Sequence, residues 1–260
     1  MKWGLIQKCV PLICCAAMLA CASREQGTAY TTENAHSHND YEQKLPFKHA
    51  FDAGFGSIEV DVFLREGELF VAHDAEDIRP ERTLKALYLQ PISELASERS
   101  FQLLIDLKTA ADSTLPVLVQ QLASYPAVTG QAGKGPAVRV VISGKRPEPE
   151  QWTKWPSFVF FDGRPDEHYP AAALERVGLI SASFLNYSSW DGSGRLSPEE
   201  KARVREEVER AHVLGKPFRF WAIPDNPQAW ELMKELSVDY INTDRIDALA
   251  FWLENETSAR

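Results

Sequence analysis

The feature that most limits the fold of this chain is an alternation of short apolar runs with helix-forming segments. A first strand is placed near Ala35 by position alone, and further strands are predicted at 57–64, 101–109, 138–143, 158–161, 179–184, 217–223 and 238–242. Helices are predicted at 47–53, 115–124, 171–177, 198–214, 228–236 and 246–253. Such alternation is typical of a parallel sheet buried on both faces, and eight repeats favour closure into a barrel. The sequence therefore predicts an α/β fold, a single (β/α)8 TIM barrel over residues 35–255. An open doubly wound sheet is the alternative, but no dinucleotide-binding glycine pattern supports it.

Size and charge are consistent with one acidic globular domain. A length of 260 residues suits a single barrel, and an apolar share of 44% is enough for a substantial core. The formal net charge of -9 argues against nonspecific nucleic-acid binding, which depends on basic patches. We expect a monomer that does not bind nucleic acid.

The first residues have the pattern of an export signal. Lys2 and Lys8 precede an apolar run at 10–20 that is too short to span a bilayer as a stable helix. The tetrapeptide ending at Cys21 resembles the bacterial lipoprotein processing site, although Met18 stands in place of the usual leucine. We therefore expect a signal peptide over 1–21, a lipid on Cys21 and a flexible tether over 22–34. The protein would be exported from a bacterium and anchored to the membrane by that lipid, with simple secretion as the alternative.

Acidic side chains interrupt two predicted strands. Glu59 and Asp61 lie two residues apart and so share a strand face, and Asp106 and Lys108 repeat that spacing. Buried carboxylates are costly unless a cation or hydrogen bonds compensate them, although solvent-facing charges at the strand ends would give the same pattern. In a barrel these faces converge at the C-terminal mouth, where three carboxylates favour Mg²⁺ or Ca²⁺ over zinc.

Histidines stand on both sides of the first acidic pair, at His38 and His73. Taken singly, His38 could be a capping or core residue and His73 a loop residue. Near a metal, however, two imidazoles can take a proton from an attacking hydroxyl and give one to a leaving oxygen. We therefore predict that both are acid/base groups.

The order of these residues resembles that in the glycerophosphodiester phosphodiesterase and phosphatidylinositol phospholipase C-like superfamily, which spider-venom sphingomyelinases D share. The shared order is His38, then Glu59-x-Asp61, His73-Asp74 and Asp106-x-Lys108. More narrowly, the segments SHNDY, SIEVDV, RTLKALYLQPI, FDGRP, RFWAIPD and INTD resemble the altered inheritance of mitochondria protein 6 family. This resemblance extends from Ala35 to about Trp252.

The resemblance implies a PLC-like TIM barrel in which His38 and His73 are the general acid and base. It further implies that one divalent ion, Mg²⁺ or Ca²⁺, is held by Glu59, Asp61 and Asp106. The predicted substrate-binding residues are Asn39, Lys108, Arg219 and Trp221. One departure is that Asn39 replaces the arginine that usually follows the first histidine, so the charge that grips phosphate is left to Lys108, Arg146 or Arg219.

The predicted function is metal-dependent hydrolysis of a small-molecule or lipid phosphodiester, either a glycerophosphodiester or a phospholipid-like compound. Two alternatives remain. His36-x-His38 resembles the zinc motif of amidohydrolases, with Asp244 as the base. The chain could also be a surface-anchored binding protein that keeps the barrel without catalysis.

Overall fold

The computed structural model describes residues 30–95, 99–130 and 137–258. The predicted signal peptide, Cys21 and residues 22–29 of the predicted tether lie outside these ranges. The last part of the tether range is packed rather than free: the Tyr30 hydroxyl donates to Val238 O at 2.7 Å, and Asn34 Nδ2 donates to Asp239 O at 3.1 Å. No helix among the described residues has the length and apolar character needed to cross a membrane.

Nine strands form one sheet, in which eight parallel strands curl into a barrel. They are β1 (Ala35–Ser37), β2 (Ser57–Arg65), β3 (Glu68–Val71), β4 (Phe101–Leu107), β5 (Val138–Gly144), β6 (Val159–Gly163), β7 (Val177–Ser183), β8 (Phe218–Trp221) and β9 (Ile241–Thr243). The order around the sheet is β8-β7-β6-β5-β4-β2-β1-β9, and a bridge between Arg219 and Tyr240 joins its two ends. The predicted TIM barrel is confirmed.

The helices cover the outside of the barrel. They are α1 (Lys48–Asp52), α2 (Gln90–Leu95), α3 (Ala111–Leu122), α4 (Pro126–Thr129), α5 (Ala171–Leu174), α6 (Pro198–Val213), α7 (Pro227–Glu235) and α8 (Ile246–Ser258). The longest, α6, begins with a capping box, in which Ser197 Oγ accepts from the Glu200 amide and the Glu200 carboxylate accepts from the Ser197 amide. This box explains why α6 begins where the sequence predicts.

The strand β3 was not predicted from the sequence. It pairs antiparallel with β2 through a two-residue turn in which Glu66 and Gly67 both have positive φ, 53° and 82°. Two positive φ angles are typical of the hairpin turn whose twist matches the strands beside it. The strand has only four residues, too few for its alternation to stand out.

Alternation along each strand divides the barrel interior into two layers. The lower layer is apolar and contains Leu104, Val141 and Leu179, with Phe160 and Tyr240 packed against them. Two residues further along the strands, the side chains become polar. We call this upper set the polar layer: His36, Glu59, Asp61, Asp106, Ser143, Asp162, Ser181, Arg219 and Asn242. Each of the eight barrel strands contributes at least one side chain to this polar layer, which positions the candidate site.

Candidate active site

The loop after β1 is shaped by a buried carboxylate, Asp40. Its Oδ1 accepts from Ser37 Oγ at 2.8 Å, and its Oδ2 accepts from the Phe47 amide at 2.5 Å and the Tyr88 hydroxyl at 2.8 Å. Asn39, just before it, adopts the left-handed conformation with φ 45°. These bonds turn the chain sharply at the barrel mouth and hold the loop in place.

Glu59 forms the deepest part of the polar layer. Its Oε2 lies 2.7 Å from His36 Nε2 and 2.6 Å from Arg219 Nη1, and Arg219 also contacts His36. Burial alone would raise the pKa of Glu59, but Arg219 and His36 more than offset it and hold the pKa well below its usual range. Burial, with Arg219 beside it, lowers the pKa of His36 to about 4, so this imidazole is neutral at pH 7.

Arg219 therefore differs from its predicted placement. Its residue is only 3% exposed, and Nη1 points into the barrel interior, where it also donates to Asn242 Oδ1 at 3.3 Å. A guanidinium enclosed in this way cannot meet a substrate at the mouth. The structure makes Arg219 the charge partner of Glu59 instead.

Lys108 bridges the other two acidic side chains. Its Nζ lies 2.9 Å from Asp61 Oδ2 and 3.1 Å from Asp106 Oδ1. Burial raises the pKa of Asp61 to about 6, and the negative charge of Glu59 adds to the effect. Burial likewise raises the pKa of Asp106. Burial would lower the pKa of Lys108, but the two carboxylates reverse the shift and raise it. The carboxylates together carry more negative charge than one ammonium offsets.

The acidic cluster is suited to a divalent cation. Glu59, Asp61 and Asp106 each offer an oxygen within 4.8 Å of the others, and no other such group of metal-ligating residues occurs in the described part of the chain. Asp61 Oδ1 is buried and has no hydrogen-bond partner. A buried carboxylate oxygen is normally satisfied, and an ion bound by hard oxygens would satisfy this one.

His38 lies at the mouth with a carboxylate behind it. Its Nδ1 is 2.8 Å from Asp244 Oδ1, and its side chain is 29% exposed. Burial would lower the pKa of His38, but the hydrogen bond to Asp244 and the charge of Glu59 outweigh it and raise the pKa. Because Asp244 accepts a hydrogen bond from the Nδ1–H group, the neutral ring keeps a lone pair on Nε2.

His73 is the more open imidazole and follows β3. Its Nδ1 lies 3.1 Å from the Tyr41 hydroxyl and 3.4 Å from Asp61 Oδ2. The Tyr41 hydroxyl donates to Asp61 Oδ2 at 2.7 Å, so its oxygen is left to accept from His73 Nδ1. Each histidine therefore has its Nδ1 held from behind, which leaves Nε2 for chemistry.

The remaining predicted residues also lie at the mouth. Trp221, the last residue of β8, is 40% exposed. The Asn39 side-chain oxygen is within 3.0 Å of the Tyr41 hydroxyl. A cleft of about 530 Å³ opens beside the acidic cluster and is lined partly by His73, Asp106 and Lys108. The structure thus brings the predicted residues to one end of the barrel, with Arg219 beneath them.

A second buried carboxylate, Asp162 on β6, was not singled out from the sequence. Its Oδ2 accepts from Ser143 Oγ at 2.7 Å and Ser181 Oγ at 2.8 Å, and lies 2.7 Å from Arg164 Nη1. Burial would raise the pKa of Asp162, but Arg164 and Arg219 lower it overall. The signal was present in the sequence, since Asp162 directly follows the apolar strand predicted at 158–161. Tyr41 and the role of Asp244 behind His38 had no comparable signal.

The amidohydrolase alternative requires histidines that share a zinc ion, and the structure arranges the histidines differently. Both ring nitrogens of His36 are engaged inside the barrel, Nδ1 with Ser57 Oγ at 2.8 Å and Nε2 with Glu59. His49 pairs with Asp247 and His212 with Asp239, both away from the acidic cluster. The described residues therefore contain no group of histidines that could share a zinc ion.

Comparison with known proteins agrees with this geometry. Residues 28–101 match a family model described as an AIM6-like phosphodiesterase domain. Altered inheritance of mitochondria protein 6 of Eremothecium gossypii is 25% identical over 83% of this chain and 68% of its own length. The homologue from Arthroderma benhamiae is 26% identical over 82% of this chain and 81% of its own.

Solved structures show the same fold. A glycerophosphodiester phosphodiesterase from Parabacteroides distasonis superposes with a TM-score of 0.62 at 16% identity, over 86% of this chain and 98% of that one. A proposed glycerophosphoryl diester phosphodiesterase from Agrobacterium tumefaciens gives 0.52 at 14% identity, over 87% and 99%.

The relatives correct one prediction. We expected an exported bacterial protein, either anchored by a lipid on Cys21 or secreted, but the curated relatives are fungal proteins named for altered inheritance of mitochondria. The predicted location is therefore wrong: the basic and apolar pattern of the first residues is too short and general to identify a bacterial processing site. In sequence the chain is similar to the AIM6 proteins, and in fold it is similar to glycerophosphodiester phosphodiesterases.

Proposed function

We propose that the protein is a metal-dependent phosphoric diester hydrolase that uses His38 and His73 for general acid/base catalysis. The observation that carries the proposal is the buried, unpartnered Asp61 Oδ1 within a cluster of three carboxylates that two imidazoles flank. Such a cluster can hold a cation, and the imidazoles can move protons beside it.

Charge in the barrel interior supports both the ion and the substrate. Four carboxylates face three cationic side chains there: Glu59, Asp61, Asp106 and Asp162 against Lys108, Arg164 and Arg219. Uncompensated charge in such a buried place is costly. A divalent ion would change the net charge of these side chains from one negative to one positive. A phosphodiester monoanion would then neutralise it.

Glu59, Asp61 and Asp106 would hold the ion. Their hard oxygen ligands favour Mg²⁺ or Ca²⁺ over zinc. When bound, the ion would supply Lewis acidity that neutralises charge on the phosphoryl oxygens. The Lys108 ammonium, already held between two of these carboxylates, would offer a further positive charge to the same oxygens.

The two histidines would act as a general base and a general acid beside the acidic cluster. One Nε2 takes the proton of the nucleophile, either water or a neighbouring hydroxyl of the substrate, and the other gives a proton to the leaving oxygen. Asp244 behind His38 and Tyr41 behind His73 keep the rings in the tautomer that this exchange requires.

The substrate we propose is a glycerophosphodiester or a phospholipid-like diester. The structurally similar proteins described as glycerophosphodiester phosphodiesterases support this class. The exposed indole of Trp221 at the mouth offers an apolar surface for the alcohol portion.

Phosphorus NMR of a mixed set of soluble and lipid diesters tests the proposal, with Mg²⁺, Ca²⁺ or EDTA added. We expect metal-dependent loss of a diester signal, and a cyclic phosphate product would identify attack by a substrate hydroxyl. His38→Ala and His73→Ala should each reduce turnover roughly 10²–10⁴-fold while metal binding persists.

A matched control is His49→Ala. His49 also pairs with a carboxylate, at 2.7 Å from Asp247, but it lies on α1 and its partner is not one of the acidic cluster. It should hydrolyse diesters at the wild-type rate. Wild-type turnover in either mouth variant would contradict the proposed roles. No hydrolysis across the panel with metal supplied would favour a binding protein, and tightly held zinc would favour the amidohydrolase alternative.

A further inference from the structure

We propose that Arg164 is the residue that binds the phosphate group of the substrate, in place of the arginine that Asn39 replaces. The inference rests on the proposed function and names the anion-binding group of the same site. Arg164 directly follows β6, and its guanidinium contacts polar-layer side chains of β5, β6 and β7.

One nitrogen of the Arg164 guanidinium is fixed inside the barrel. Nη1 lies 2.7 Å from Asp162 Oδ2 and donates to Ser181 Oγ at 3.1 Å and to Gly163 O at 3.0 Å. Asp162 is fully buried and already accepts two serine hydroxyl bonds. The guanidinium is therefore held by an anchor that stays ionised, so its orientation is set before any substrate arrives.

The other nitrogen has hydrogen-bonding capacity left. Nη2 makes one long contact among the described residues, to Ser143 Oγ at 3.3 Å, although it carries two N–H bonds. The side chain is 29% exposed. An oxyanion that enters the mouth can accept from this free edge.

The position of this edge is close to the acidic cluster. Ser143 is the registered neighbour of Asp106 across β4 and β5, so Nη2 lies one strand away from that carboxylate. Asp162 raises the pKa of Arg164 against the effect of burial, and Asp106 adds a smaller contribution. A phosphate between them would have metal ligands on one side and a guanidinium on the other.

The three cations named from the sequence are less available. Lys108 is held between two carboxylates, and Arg219 is enclosed beside Glu59. Arg146 pairs with Glu167 at 2.5 Å, and its side chain is 7% exposed. Lys145, at the edge of the cleft, is exposed, and no ion pair with a buried carboxylate orients it within the described part of the chain. Arg164 alone among these five combines an anchored side with an open one.

The chemistry favours arginine at this position. A planar guanidinium can use one edge for a carboxylate and another for a phosphate oxygen, whereas an ammonium is a point charge without this division. We therefore expect lysine to restore charge but not full affinity.

The test measures inhibition by inorganic phosphate and cleavage of bis(4-nitrophenyl) phosphate by the full chain with Mg²⁺. Arg164→Gln should raise both the inhibition constant and KM about tenfold to a hundredfold, because a hydrogen bond to a charged group is lost, while kcat changes less. Arg164→Lys keeps the charge beside Asp162 and should give an intermediate value. Arg205→Gln removes the same charge from the exposed face of α6 and should match the wild type.

Unchanged phosphate inhibition in folded Arg164→Gln and Arg164→Lys proteins would overturn the inference, as would an equal effect of Lys145→Gln. If Arg164→Gln does not fold, Arg164→Lys decides alone, since a wild-type inhibition constant and KM in that variant would overturn the inference. Calorimetric titration with inorganic phosphate separates this failure from failure of the proposed function. If the wild-type protein binds phosphate through Arg164 but cleaves no diester, the proposed hydrolase function is contradicted. The proposed anion site at Arg164 would still stand.

Discussion

Asp61 and Asp162 are similar in position but opposite in electrostatic setting. Each is a fully buried carboxylate on a barrel strand, each has an Oδ2 beside a cation, and each has an Oδ1 without a hydrogen-bond partner. The pKa of Asp61 is raised to about 6 by burial and by Glu59. The pKa of Asp162 is lowered, because Arg164 and Arg219 outweigh the effect of burial.

The difference comes from the neighbours rather than from the residue. Asp61 shares its single ammonium with Asp106 and stands beside Glu59, whereas Asp162 has two serine hydroxyls and a guanidinium to itself. A carboxylate in the first setting is stabilised by adding a cation, and one in the second is already compensated. We therefore infer that the β2–β4 side of the barrel binds a metal ion and that the β5–β7 side holds Arg164.

Among the variants that compare the two sides of the barrel, Asp61→Asn should have the largest effect. Loss of a ligand charge should weaken binding of Mg²⁺ or Ca²⁺ and reduce diester hydrolysis roughly 10²–10³-fold, the scale of a lost electrostatic contact to the transition state. In EDTA, however, the variant should be more stable than the wild type at pH 8. A raised pKa means that ionisation of Asp61 costs stability as the pH rises through about 6, and asparagine avoids that cost. Thermal unfolding at pH 4 and pH 8 measures the difference, which should vanish at the lower pH.

Asp162→Asn should change stability in the opposite direction. The lowered pKa of Asp162 means that its stabilising effect is complete above the unfolded value near 4 and is lost only as the pH falls through the folded value. The variant should therefore be less stable than the wild type by about 1–3 kcal/mol throughout pH 6–8. Denaturant unfolding in EDTA measures this. If both asparagine variants were more stable than the wild type, or both less stable, the distinction between the two sides of the barrel would be contradicted.

The sequence predicted the barrel and the acidic cluster for the same reason. Strand alternation is local, so the shared face of Glu59 and Asp61 and the recurrence at Asp106 and Lys108 could be inferred from spacing alone. The partners of these groups are distant in sequence: Asp244 lies 206 residues from His38, and Arg219 lies 160 residues from Glu59. Spacing carries no information about such pairs. For that reason Arg219 is predicted from the sequence to bind substrate, and the pairing of Asp162 with Arg164 is not predicted.

Gly144→Ala should disturb only the β2–β4 side of the barrel, where the metal ion would bind. Gly144 has φ +68°, and a Cβ there would lie 2.4 Å from Asp106 Oδ1 and 2.6 Å from Leu107 O. We expect a stability loss of about 1–2 kcal/mol from the left-handed backbone and a roughly tenfold weaker metal affinity from displacement of Asp106. Gly215→Ala is the matched control, since Gly215 has φ +70° and open space around it. It should lose stability without losing metal affinity, and equal metal affinity in both variants would contradict a role for Asp106 as a ligand.

Asp244→Asn should have the smallest effect, a shift in a pH profile with about a tenfold loss of rate. The hydrogen bond to Asp244 raises the pKa of His38 against the effect of burial, so its loss should lower that pKa. One limb of the plot of kcat/KM against pH reflects the ionisation of His38, and that limb should move to lower pH. Movement of the acidic limb would make His38 the base, and movement of the alkaline limb would make it the acid. A profile with both limbs in place would show that His38 does not titrate in the reaction.

The central claim, that Glu59, Asp61 and Asp106 hold a catalytic divalent ion, is tested most directly by one titration. Metal-free wild type and Asp61→Asn are titrated with Mg²⁺ and with Ca²⁺ in a calorimeter, and cleavage of bis(4-nitrophenyl) phosphate is followed over the same concentrations. We predict one ion per wild-type chain, activity that saturates with the binding curve, and neither response in the variant. Full activity of the wild type in EDTA, or unchanged ion binding in Asp61→Asn, would contradict the claim.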